Sequence, residues 1–180
     1  MNMTNRSLIT DVNINEEFLT CPYDYYDYEL HNVSVEYNWK QAVQKTVNNI
    51  VRECLSIPSI DRTHGCILKL IGEYWIRLDR QLFDSLQQFF TVSAVIIDHL
   101  MGFLMSKEDK GSMDTMTLSN NVNAGDELIM EKVLLEVDEQ LLETYCEVAT
   151  DYFVGNNKEI PSQIEVIDLM NAKRYVRFLT

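Results

Sequence analysis

His64 stands two residues before Cys66 and three after Asp61, the closest approach of a base, a thiol and a carboxylate along this chain. A histidine beside a cysteine is the pairing that can generate a thiolate nucleophile. A neighbouring His–Cys pair at the start of a helix is far more often structural, and nothing nearby completes a third member. His31 and His99 are isolated. The four cysteines, Cys21, Cys54, Cys66 and Cys146, are scattered with no CxxC pair and no histidine at metal-ligand spacing, so neither a zinc site nor a disulfide framework is expected. Acidic pairs such as Glu16-Glu17 and Asp138-Glu139 are adjacent, which on a helix points the two carboxylates away from a common site. There is no GxxxxGK[ST], GxGxxG, HExxH, GxSxG or EF-hand pattern. The expectation is a protein that is not an enzyme, with no catalytic, cofactor-binding or metal-ligating residues.

Binding is the alternative to chemistry, and composition directs it. The chain has 28 acidic against 15 basic residues in 180, a formal net charge of -13. That balance disfavours non-specific contact with phosphate backbones and anionic lipid, and favours a partner with a basic face. Direct sequence-specific nucleic-acid binding and membrane binding are not expected. No apolar leader opens the sequence, and no uninterrupted apolar run reaches ~18 residues, which points to an intracellular protein with reduced cysteines. The N-x-S/T triplets at Asn2, Asn5 and Asn32 are read as chance in an Asn-rich chain.

The elements that would present a binding surface follow from periodicity. Residues 1–36 carry one basic residue, Arg6, against seven acids and lack a sustained apolar period, so they read as an acidic, partly disordered arm. Inside that arm, "CPYDYYDYEL" alternates tyrosines with acids, a segment suited equally to docking on a partner or covering the chain's own core. Trp39, Val43, Val47, Ile50 and Cys54 recur every three or four residues and predict a helix over 37–56, ended by Pro58. Asp61 is the expected N-cap of a helix over 62–104, interrupted near the β-branched Thr91-Val92-Ser93. Residues 106–125 are polar and glycine-dotted, a flexible loop. Met130, Leu134, Val137, Leu141, Tyr145, Val148 and Tyr152 then predict a helix over 126–154, stopped by Gly155. In the tail, "QIEVIDL" and "RYVRFL" alternate with a period of two around "MNAK", a β-hairpin that two strands alone cannot stabilise.

The reading is a mainly α protein, a helical bundle with a small C-terminal β hairpin, divided into an arm (1–36), a helical domain (37–155) and a β appendage (156–180). Its sharpest binding signal is "GEYWIRLDRQLF", where Tyr74 shares a face with Leu78 and Leu82 while Arg77 and Arg80 flank it. Arginine at the edge of an aromatic patch suits a protein interface. Candidate interface residues are Tyr74, Arg77 and Arg80 on that seam, Tyr145 and Tyr152 on the last helix, and Ile164, Val166, Tyr175 and Phe178 on the hairpin.

"DEQLLETYCEVATDYFVGNNKEIP" resembles the last helix and exit link of a GINS subunit, "VIDLMNAKRYVRFL" resembles part of its β domain, and "IGEYWIRLDRQLF" is similar to the arginine-bearing segment of its second long helix. The resemblance implies a non-enzymatic subunit of a hetero-oligomeric DNA replication assembly, nuclear, a protein–protein scaffold for the replicative helicase. The competing expectation is a Bcl-2-like helical module that captures an amphipathic helix in an apolar groove, as in some viruses, with "YNWK" and "VSAVIIDHLMGFLM" as its weak markers.

Overall fold

Part of the expected arm belongs to the core. The computed structural model describes residues 12–24, 37–109, 111–114, 119–125 and 127–179. Helix α1 (Val12–Thr20) is followed by a 3₁₀ turn, Pro22–Asp24. Phe18, Leu19, Cys21 and Tyr23 are buried, so these residues of the arm are a packed element and not a disordered one. The Tyr23 hydroxyl donates to the Glu136 carbonyl and accepts from the Glu136 amide, clasping the turn to a loop 113 positions away. The rest of the tyrosine-rich segment, and residues 1–11, lie outside the described residues.

Asn38 starts α2 (Trp39–Ser56) by accepting from the Lys40 and Gln41 amides, while the Gln41 side chain accepts from the Asn38 N–H. This capping box satisfies donors that a helix start leaves open. The next helix, α3 (His64–Trp75), is capped by Thr63, whose hydroxyl accepts from Cys66 N; Asp61 lies in the preceding 3₁₀ turn, not at the N-cap. Helix α4 (Leu86–Met105) begins at Ser85, so the long 62–104 helix is broken over residues 76–85 and not near 92. Thr91-Val92-Ser93 stays helical because tertiary contacts outweigh a few tenths of a kcal/mol of propensity: Val92 is buried, and the Ser93 hydroxyl donates to Phe89 O at 2.6 Å and accepts from Trp75 Nε1 at 2.9 Å.

Within the expected loop, 111–114 and 119–124 are strands, and so are residues 127–134 of the expected last helix. After β1 (Gly111–Asp114), β2 (Ser119–Ala124) and β3 (Glu127–Leu134), helix α5 runs from Glu139 to Gly155 under an Asp138 N-cap. Strands β4 (Gln163–Asp168) and β5 (Lys173–Phe178) complete one five-stranded sheet ordered β1-β2-β3-β4-β5. The β3–β4 pair is parallel, bridged by α5, and every other pair is antiparallel. The chain is therefore mainly α with a small mixed sheet, and the expected boundary at 155/156 falls inside that sheet. The terminal strands do not form a free appendage.

One face of the sheet carries Met130, Lys132 and Leu134 beside Ile164, Val166 and Asp168, all buried, against α1 and α2. The other carries Glu131, Val133, Glu165 and Ile167 and meets the C-terminal end of α4, where Lys107 pairs with Glu131 and His99 Nδ1 contacts Leu169 O. α1 packs on α5, and α2, α3 and α4 pack on one another. A single apolar cluster runs through all of them, including Trp75, Leu78, Leu134, Leu141 and Tyr145, with Trp39 partly buried against it.

Candidate interaction surface

The nine candidate interface residues divide by burial. Tyr145, Tyr152, Ile164 and Val166 are inside the core, at 0–1 % exposure, and cannot meet a partner in this fold. The two tyrosines bond internally instead: the Tyr145 hydroxyl donates to Leu19 O at 2.9 Å, tying α5 to α1, and Lys158 Nζ donates to the Tyr152 hydroxyl at 2.7 Å. Tyr175 is half-buried, packed against the core edge. Tyr74, Arg77, Arg80 and Phe178 reach solvent, fully or in part. Arg77 lies over the Tyr74 ring, 5.3 Å from its centroid, whereas Arg80 lies over the Phe89 ring at 5.1 Å.

These arginines sit on the segment joining α3 to α4, and the local sequence explains why. Asp79 accepts from Gln81 N to form a 3₁₀ turn, and Ser85 accepts from Gln88 N to restart a helix, so the chain turns a corner between two capped ends. Underneath, Trp39 stacks on Phe83 at 5.6 Å and Phe83 meets Phe89 edge-on at 5.1 Å, which fixes the corner to α2. On the outside, Ile76 is 82 % exposed, Leu86 58 % and Phe90 57 %. Burial of these three would be favourable by roughly 25 cal/mol per Å² of apolar area removed from water. Ile76 adjoins Arg77 in sequence, and Leu86 and Phe90 are a turn apart at the start of α4, where Arg80 covers the ring of Phe89, so this segment has the composition found at protein interfaces.

The patch continues down α4. Phe89, Val92, Ile96, Leu100, Phe103 and Leu104 are its buried stripe, while Leu86, Phe90, Ile97, Met101 and Met105, one helical face, are partly or well exposed. By length and composition alone α4 is apolar enough to cross a bilayer, but its inner stripe is a wall of the core in this fold.

The polar groups elsewhere are engaged in holding the chain. A cleft of about 300 Å³ lies at the C-terminal ends of the parallel strands β3 and β4, lined by Tyr23, Asn38, Lys40, Glu136, Asp138 and Asn171, the position where open α/β sheets commonly bind ligands. Here, however, Tyr23 clasps Glu136, Asn38 and Asp138 cap helices, Lys40 pairs with Glu136 at 3.1 Å and Asn171 donates to Asp168. Lys132 is fully buried, with Nζ 3.2 Å from Asn48 Oδ1 and 3.4 Å from Thr20 O. Desolvation brings its amine down from 10.5 to about 7. Burial pushes the Cys21 thiol up to about 12 and those of Cys54 and Cys146 to about 11, so none is a thiolate at neutral pH. Among the described residues no group of three or more His, Cys, Asp or Glu could hold a metal ion.

No protein-family model matches the chain, and neither the curated proteins nor the solved structures contain a match. The residues that sequence reasoning missed are Ile76, Leu86 and Phe90. For Leu86 and Phe90 the signal was present in α4, whose apolar residues are too many for one stripe: the two are a helical turn apart beside Phe89 and Val92.

Proposed function

We propose that this chain is a non-enzymatic protein–protein interaction component that engages a partner chain through the α3–α4 corner and the outer stripe of α4. The observation that carries this reading is the joint exposure of Ile76, Leu86 and Phe90 beside Arg77 and Arg80. Single exposed apolar side chains are ordinary, but three large ones flanked by arginines on one capped corner are not. The engagement of the cleft-lining polar groups in caps and clasps is consistent with a binding role over catalysis.

Within that class, a scaffold subunit of a GINS-like replication assembly is the particular form proposed, with other subunits of a hetero-oligomer as partners and a nuclear site of action. Its support is local: α5, its exit through Pro161 and the β4–β5 pair occupy the segments on which the resemblance rests. The strands that precede α5 and join the same sheet depart from an order of helical domain followed by β domain, so the resemblance does not extend to architecture. A five-stranded sheet likewise departs from the wholly helical Bcl-2-like module that the sequence offered as the alternative. Affinity capture from native cells under gentle salt, followed by mass spectrometry, tests the proposal. Recovery of replication proteins in stoichiometric amounts is the expected result; a monomeric chain with no stable partner contradicts it.

A further inference from the structure

Strand β5 ends the sheet, and its outer edge has no strand beside it among the described residues. Which backbone groups face outward follows from one hydrogen bond. Leu179 N donates to Ser162 O at 2.8 Å, which continues the β4–β5 register in which Gln163 opposes Phe178. In an antiparallel pair, hydrogen-bonded and non-hydrogen-bonded partners alternate, so Arg177, Tyr175 and Lys173 point their N–H and C=O groups at β4. Arg174, Val176 and Phe178 then direct theirs away from the sheet.

The side chains on this edge reverse the charge of the molecule. From residue 169 to 180 the sequence LMNAKRYVRFLT holds Lys173, Arg174 and Arg177 and no acid, a local +3 in a chain of net -13. Arg174 is spent within the sheet, 2.6 Å from Glu165 and 3.9 Å from Glu131. Lys173 and Arg177 are exposed, lie four residues apart on one face, and have no ion-pair partner among the described residues. On the opposite face Val176 and Phe178 are 40 % and 72 % exposed. That face extends a cross-strand row, Val122, Ile129, Gln163 and Phe178, across four strands.

We infer that β5 is a docking edge for an acidic extended segment of another protein, which adds to the sheet as a sixth strand. Its carboxylates, on every second residue, face Lys173 and Arg177, while the alternate apolar residues cover Val176 and Phe178; the main-chain groups of Arg174, Val176 and Phe178 supply the ladder. A second copy of this chain is a poor occupant, since antiparallel self-pairing about Tyr175 would set Lys173 directly against Arg177 on the same face. The inference takes its class of partner from the proposed function but uses a different surface, so the two can fail separately.

The test is a titration of the full chain into a short fluorescein-labelled peptide alternating Glu and Val, read by anisotropy at low and moderate salt. Saturable binding that weakens with salt is expected, with no binding of the corresponding Lys–Val peptide. V176P removes an outward N–H without touching the β4 ladder, so it should weaken binding tenfold or more at an unchanged circular dichroism spectrum and thermal midpoint. Should V176P perturb the fold, K173E/R177E decides: exposed side chains change, the Glu–Val peptide is lost and the Lys–Val peptide is gained. An I76S/L86S/F90S variant, altered only on the α3–α4 corner, should bind the peptide as the wild type does. Absence of saturable binding, or equal binding by V176P and by K173E/R177E, overturns the inference and leaves the cations as protection against edge aggregation. Self-association that V176P abolishes overturns it in favour of a second copy.

Discussion

The interior between the sheet and α1, α2 and α5 differs from the α3–α4 corner in what its side chains satisfy. In the interior a buried amide network joins α2 to the sheet and α1: Gln44 Nε2 donates to Asn48 Oδ1 at 2.9 Å and to Val133 O at 3.0 Å, its Oε1 accepts from Leu135 N, and Asn48 Nδ2 donates to Thr20 O. At the corner, large apolar groups and two arginines face outward although the rings beneath them are already packed. The interior holds the fold, Leu78 and Phe83 of the corner included; the outward-facing side chains of the corner contribute little to it. A protein that keeps such a surface exposes it to association, and under the proposed function stability belongs to one region and recognition to the other.

The comparison is broken most severely from the interior side. Leu141, 2 % exposed in the heart of α5, should cost ~2–5 kcal/mol on truncation to alanine, measured by urea unfolding, because the cavity cannot fully collapse. A midpoint unmoved by L141A would remove the interior from this account. Next in size is Arg62, whose buried guanidinium donates to Ile57 O at 2.7 Å and Lys107 O at 2.9 Å and pairs with Asp109. R62M leaves these acceptors short of donors and should cost ~2–3 kcal/mol. Asp109 is held below its usual range chiefly by its hydrogen bonds from the Ser59 side chain and amide, with Arg62 assisting, so the same knot joins the α2–α3 turn to the end of α4.

Lys132 sharpens the comparison through pH. Its folded-state pKa, about 7, is below the ordinary 10.5, so between those values the unfolded chain holds a proton that the folded chain does not. Stability from this group therefore rises as pH increases from about 7 towards 10.5, and is flat below 7 where both states are protonated. K132M should abolish that slope and raise stability at neutral pH, since Thr20 O and Asn48 Oδ1 each keep another donor, from Asn48 and Gln44. Denaturant midpoints of both proteins across about pH 6.5–10 read this directly; parallel profiles would show that the amine is solvated. The smallest expected effect is at the corner, where I76S/L86S/F90S should shift unfolding by no more than ~0.5 kcal/mol.

How far the sequence carried these conclusions depended on whether a pattern had one meaning. Helix α2 was legible almost to the residue, because the apolar period from Trp39 to Cys54 is long and Pro58 marks its end. The stretch 127–134 was not. Met130 and Leu134 are four apart, a spacing that is one helical turn and also two strand repeats, and Lys132 between them on the same buried face reads as a polar break. Only the parallel partner β4, about thirty residues on, settles the choice, and that information is tertiary. In the same way Tyr145 and Tyr152 looked like interface aromatics because the sequence does not say that α1 lies against α5. At the candidate site the placing of Arg77 beside Tyr74 was legible, but the ring under Arg80 is Phe89, and Ile76, Leu86 and Phe90 were hidden by the assumption that every apolar residue of α4 and its approach faces inward.

The central claim is that recognition lives on the α3–α4 corner and is separable from folding. Parallel affinity captures with the wild-type chain and with I76S/L86S/F90S, from the same native extract, test it most directly. The account predicts that the triple variant keeps the wild-type circular dichroism spectrum and thermal midpoint while losing the stoichiometric partners. Retention of the same partners in the same amounts by a folded variant would contradict it.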